Sequence, residues 1–259
     1  MSQLHEVFAK TKKENRAALI GYLPAGYPTK QGAIDCITAM VRGGVDIVEI
    51  GLPYSDPVMD GPTIQEAVEI SLTNGTKISD VIETAGAISK LGVPALVMSY
   101  WNPIERNGVQ NFSEALSEAG GVGVITPDLT PEESAAWINA TENKLDRVFL
   151  VALSSTNERI AKVCKVTTGF IYAGAVMGVT GARTSISTSV QDLVSRTRKL
   201  TDLPIAVGLG VSTPAQAKEI AAYADGVIVG SAFVNAIKQG GPAAAEKLAR
   251  ELSAALGKN

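Results

Sequence analysis

Two carboxylates are set apart by where they fall. Glu49 lies late in the apolar run Val45-Asp46-Ile47-Val48-Glu49-Ile50-Gly51, and Asp60 ends the Pro-containing loop that follows, just before Gly61-Pro62-Thr63. A carboxylate buried in an apolar strand resists ionisation, and such an acid can give and take a proton near neutral pH. Strand alternation puts Glu49 on the face of Ile47, opposite Val48 and Ile50. Two acids in unlike surroundings can divide proton transfer from charge stabilisation. Each also has a plainer reading: a structural Glu paired with Arg or Lys, and a turn or helix-capping Asp. The one histidine, His5, falls in an amphipathic lead-in segment, where a solvated helix residue is expected. Acid–base work then falls to carboxylates, Lys or Tyr.

A second group of residues suits an anion. Gly178-Val179-Thr180-Gly181, Gly208-Leu209-Gly210-Val211-Ser212 and Gly230-Ser231 follow the sixth, seventh and eighth predicted strands. Glycine lets backbone N–H groups approach a phosphate closely, and a short helix starting at Ser231 would add its dipole. Neutral donors with little Lys or Arg nearby suit one small phosphate rather than a nucleotide, and the chain has no G-x-x-x-x-G-K-[ST] motif. The stretch 178–189 is rich in Gly, Ser and Thr, lacks a helical pattern, and reads as a mobile lid in which Arg183 is solvated.

These residues need a frame. Short apolar runs at 17–23, 45–51, 94–100, 121–126, 147–153, 169–173, 204–208 and 226–230 have the length of strands buried on both faces. Amphipathic segments lie between them, at 31–42, 78–91, 131–143, 157–166, 189–200, 214–222 and 243–256. Thr130-Pro131 and Thr213-Pro214 place a capping residue before a first-turn proline. The alternation predicts one α/β domain over 1–259, a (β/α)8 TIM barrel with an N-terminal lead-in helix and extra helical material after strand 2. An open doubly wound sheet is the alternative. Active sites of this barrel lie at the C-terminal ends of the strands, where both acids and the glycine clusters fall.

Composition narrows the partners. The net charge of −3 comes without any basic block, so no nucleic acid is expected. Cys36 and Cys164 stand alone, as in a reducing compartment. The first residues lack the apolar core of a signal peptide, and no apolar run reaches the roughly 18 residues of a membrane span, so a cytoplasmic protein without a membrane partner is expected.

The segment from Val48 through Glu49, Asp56, Pro57 and Asp60 to Ile64-Gln65 closely resembles the signature of the tryptophan synthase alpha subunit family. The glycine clusters follow in that family's order, and the likeness runs from Tyr22 and Gly26-Tyr27-Pro28 onward. The resemblance implies a lyase that cleaves indole-3-glycerol phosphate to indole and glyceraldehyde 3-phosphate by a retro-aldol reaction, with no cofactor or metal of its own. It implies that Glu49 moves protons at the indole C3 and the glycerol hydroxyl, while Asp60 holds the indole N–H and steadies positive charge. Tyr22, Ile64 and Tyr100 match positions lining an indole pocket, and Tyr172 a supporting position. Thr180 and Gly181 match the lid, and Gly181, Gly210, Gly230 and Ser231 the phosphate contacts. A pyridoxal-phosphate-dependent beta subunit is implied as partner in an αββα heterotetramer, with Asp56 and Pro57 in the loop facing it. Departures occur at Ala152-Leu153, where Ala-Pro is common, at Ala175-Val176-Met177, where polar residues are common, and at Leu209, where Phe is common. The alternatives are a barrel that mainly activates a partner enzyme, or a sugar-phosphate isomerase. The isomerase more often calls for a Lys or His at a strand end.

Overall fold

All eight apolar runs form strands. A computed structural model describes residues 2–174, 183–208 and 210–257. Its strands are β1 (Ala18–Pro24), β2 (Ile47–Gly51), β3 (Ala95–Met98), β4 (Gly123–Ile125), β5 (Asp146–Val148), β6 (Leu150–Ala152), β7 (Ile171–Gly174), β8 (Ile205–Gly208) and β9 (Gly226–Val229). Every pairing is parallel, and the order is β5-β4-β3-β2-β1-β9-β8-β7-β6. The two ends of that order, β5 and β6, are consecutive pieces of one predicted strand parted only at Phe149. The Phe149 carbonyl still accepts from the Tyr172 N–H, so the ladder runs through the break. The sheet therefore closes into the eight-stranded barrel that the alternation predicts, and the open sheet is excluded.

Alternation splits the strand side chains into two cores. Ala18, Ile20, Ile47, Leu96, Ile125, Val148, Phe170, Ala206 and Ile228 fill the barrel interior. Leu4 and Phe8 of the helix Gln3–Lys13 join them and close the N-terminal end, with the Phe8 and Phe170 rings 5.6 Å apart. The opposite strand faces, Leu23, Val48, Ile50, Val97 and Val207 among them, pack under the outer helices. The lead-in helix carries His5, whose Nδ1 lies 3.1 Å from the Ser2 hydroxyl, at the end of the barrel away from the predicted site.

The helices differ from the sequence expectation in three places. The predicted helix 131–143 is a 3-10 turn, Pro131–Glu133, followed by a helix, Ala135–Thr141. Ser134 breaks it, turning its hydroxyl back onto the Pro131 carbonyl and competing with the backbone ladder. The helix predicted from 189 begins at Arg183, so the second part of the proposed lid, 183–189, is helical; residues 178–182 lie outside the described residues. The expected part of this helix buries Val190, Leu193 and Val194, and only its start, rich in weak helix-forming Ser and Thr, falls outside the expected range. Two helices, Trp101–Asn107 and Val109–Ala119, fill the stretch between β3 and β4, hinged at Gly108 with φ 88°. The extra material after β2 is the helix Pro62–Thr73, ahead of Ile78–Ser89. Among the described residues no helix is long and apolar enough to cross a membrane.

Candidate active site

Two residues above Ile47 on the interior face, Glu49 is 1% exposed. Its strand pairs it in register with Tyr22 of β1 and Leu96 of β3. Here the interior layer changes character, from aliphatic side chains to Tyr22, Glu49, Met98, Tyr172, Gly174, Gly208 and Gly230. These residues surround a cavity of about 260 Å³ that also takes in Asp60, Ile64, Gly210 and Ser231. Glu49 therefore forms part of a cavity wall at the C-terminal end of the barrel. Its Oε2 is buried without a hydrogen-bond partner, and among the described residues no Arg or Lys lines the cavity to neutralise it. Burial, and after it the charge of Asp60, push its pKa up to about 8.

Asp60 reaches the cavity because it is not a cap. The N-cap of the helix Pro62–Thr73 is Gly61, with Pro62 in the first turn. That leaves the Asp60 carboxylate free to line the cavity, where burial raises its pKa. Tyr22 and Tyr172 are held neutral: burial first, then the two carboxylates, keep both phenols well above their usual pKa. Their hydroxyls lie against glycines. A Cβ on Gly51 would collide with the Tyr22 hydroxyl, and one on Gly208 with that of Tyr172.

The other wall suits an anion. The helical segment Ser231–Ala255, broken by a kink at Gly240-Gly241, starts at the cavity with Gly230 as N-cap and no side chain capping its first turn. Its free N–H groups and dipole favour a negative group. Gly210, at φ 58°, joins Gly230 and Ser231 in the lining. No Lys, Arg or His lines the cavity among the described residues. Also among the described residues, no cluster of three or more His, Cys, Asp or Glu is placed to hold a metal ion.

The predicted residues are thus brought together with few exceptions. Tyr100 is buried but outside the cavity lining; its hydroxyl accepts from the Met59 N–H at 3.0 Å. Thr180 and Gly181 lie outside the described residues, as does Leu209. Met98, Gly174 and Ile228 line the cavity without carrying any chemical signal in the sequence. Counting two residues on from Leu96 and Tyr172, and two back from Gly230, would find them.

A family model for the tryptophan synthase alpha chain matches residues 8–258. The chain belongs to the tryptophan synthase alpha chain family. The tryptophan synthase alpha chain of Mycobacteroides abscessus is 55% identical over 252 residues, 97% of this chain and 96% of the relative. A crystal structure of tryptophan synthase from M. tuberculosis matches with a TM-score of 0.93 at 47% identity, covering 100% of this chain and 99% of that one. Tryptophan synthase subunit alpha from Legionella pneumophila matches with a TM-score of 0.90 at 28% identity, covering 98% of each chain. The barrel is the fold of the tryptophan synthase alpha chain family, whose reaction is the lyase cleavage of indole-3-glycerol phosphate in tryptophan biosynthesis.

Proposed function

We propose that Glu49 and Asp60 carry this lyase reaction in the present chain, cleaving indole-3-glycerol phosphate to indole and glyceraldehyde 3-phosphate. One observation carries the assignment: a buried acid with an unpartnered oxygen shares a cavity with a second acid and an uncapped helix N-terminus. With its pKa near 8, Glu49 starts protonated at neutral pH and gives that proton to the indole C3. Asp60 accepts the indole N–H and stabilises the positive charge that spreads over the ring. The Glu49 carboxylate then takes the proton of the glycerol hydroxyl next to the ring. The carbon–carbon bond breaks, its electron pair returns to the ring, and an aldehyde and indole leave with Glu49 protonated again. Tyr22 and Ile64 pack on the indole, and Tyr172 supports it. Gly210, Gly230 and Ser231 take the phosphate, with Thr180 and Gly181 closing over it. No step draws on a cofactor.

The same reading makes the chain a one-domain cytoplasmic subunit that works with a tryptophan synthase beta subunit in an αββα assembly. The test is indole release from indole-3-glycerol phosphate by the purified chain, with and without a beta subunit. Slow release alone and faster release with the partner are expected. Glu49→Gln and Asp60→Asn should each lower the rate by about a hundredfold or more. Wild-type rates in both variants would remove the mechanism. No release under either condition would leave a subunit that only binds and activates.

A further inference from the structure

The segment that presents Asp60 is a loop, yet its backbone is gripped on both sides of that residue. Ahead of it, the Tyr100 hydroxyl accepts from the Met59 N–H at 3.0 Å. After it, the Gln65 Nε2 donates to the Asp60 carbonyl at 2.7 Å. Each residue has only two soft backbone torsions. Fixing the N–H of Met59 and the carbonyl of Asp60 therefore leaves little freedom in the direction of the Asp60 side chain.

The first grip is anchored in the frame. Tyr100 follows β3 and is 5% exposed. Its ring lies 5.5 Å from that of Tyr54, near the start of the same loop, and the Tyr54 hydroxyl accepts from Asn102 at 3.1 Å. The next residue, Trp101, has its N–H held by the Asp128 carboxylate at 2.9 Å. The loop is thus tied near its start and near its end to one short segment after β3, while Gln65 ties it to its own helix.

We propose that Tyr100 and Gln65 are positioning residues that hold Asp60 over the cavity, acting on turnover through Asp60 without touching the substrate. This rests on the proposed role of Asp60. The experiment is steady-state indole release by the full chain with its beta subunit, using Tyr100→Phe, Gln65→Leu, Asp60→Asn and the double variants. Tyr100→Phe keeps the ring and loses only the hydroxyl. Each positioning variant should lower kcat about tenfold, with KM within about twofold. In the Asp60→Asn background the same changes should cost nothing further, a coupling that a purely structural role would not produce. Wild-type kcat in Tyr100→Phe and Gln65→Leu, with Asp60→Asn crippled, would overturn the positioning role and leave the mechanism standing. A full tenfold loss on top of Asp60→Asn would overturn it as well. Wild-type kcat in Asp60→Asn would bring down the reading beneath it.

Discussion

Burial and the charge of Asp60 both oppose ionisation of Glu49, and they do so in the folded state only. The folded pKa of about 8 stands above the ordinary value of 4.5, so between those limits the folded protein binds more protons than the unfolded chain. Stability from this residue is therefore full below pH 4.5 and is lost as pH rises toward 8. The loss by pH 8 is roughly 4 kcal/mol, at about 1.4 kcal/mol per pH unit. Gln cannot ionise. Glu49→Gln should gain melting temperature relative to wild type as pH rises from 5 to 8, while losing activity throughout. Thermal unfolding of both proteins across that range checks it, and parallel curves would mean that Glu49 titrates normally. The position of Glu49 was legible in the sequence because an acid interrupts an apolar strand. Its lack of a cationic neighbour was not legible, since only the fold shows that no Lys or Arg lines the cavity among the described residues.

Elements deliver these side chains through glycines that look interchangeable in sequence. Gly51 ends β2 and lies against the Tyr22 hydroxyl from β1; Gly208 ends β8 and lies against that of Tyr172 from β7. In both pairs the absent Cβ makes room for a phenol in the cavity wall. Gly51→Ala should displace Tyr22, cost about 1–3 kcal/mol of stability by overpacking, and raise KM for the substrate. Tyr22→Phe in that background removes the nearest of three colliding atoms but leaves two ring carbons within 3 Å of the new Cβ, so it should recover only part of the stability. Denaturant unfolding of the two single variants and the double variant reads this directly, and strictly additive costs would sink it. Strand positions were legible because burial on both faces demands an apolar run of fixed length. Helix interruptions were less so. The break at Ser134 depends on one hydroxyl choosing a backbone carbonyl, and the helix starts at Arg183, ahead of the expected 189, through a run of weak Ser and Thr propensity. The Asp60 loop was read as functional from its acids, but the Tyr100 and Gln65 grips join segments that only the fold brings together.

At the scale of the molecule, the barrel has one closed end and one working end. Leu4 and Phe8 seal the first, and the cavity opens at the second. Exposed apolar side chains are distributed over both. Leu91 and Leu200 follow the last turns of helices that precede β3 and β8, which puts them at the closed end; they are each 42% exposed. Val58, by contrast, is 77% exposed on the loop that carries Asp60, beside Met59 at 38%. Single exposed apolar residues are ordinary. Here, however, they cap a loop anchored at both ends, so a partner docking on Val58 would not need to order it first. A beta subunit seated on this end would press on the backbone that sets the direction of Asp60, which gives partner binding a short physical route to turnover. Val58→Asp should therefore raise the beta-subunit concentration needed for half-maximal stimulation by about tenfold, near 1.4 kcal/mol of binding free energy. Leu200→Asp, a similar change at the closed end, should leave that concentration where it is. Titrating indole release with beta subunit separates the two. Equal shifts in both variants would mean that the partner reads overall charge, and no shift in either would place its footprint away from the Asp60 loop.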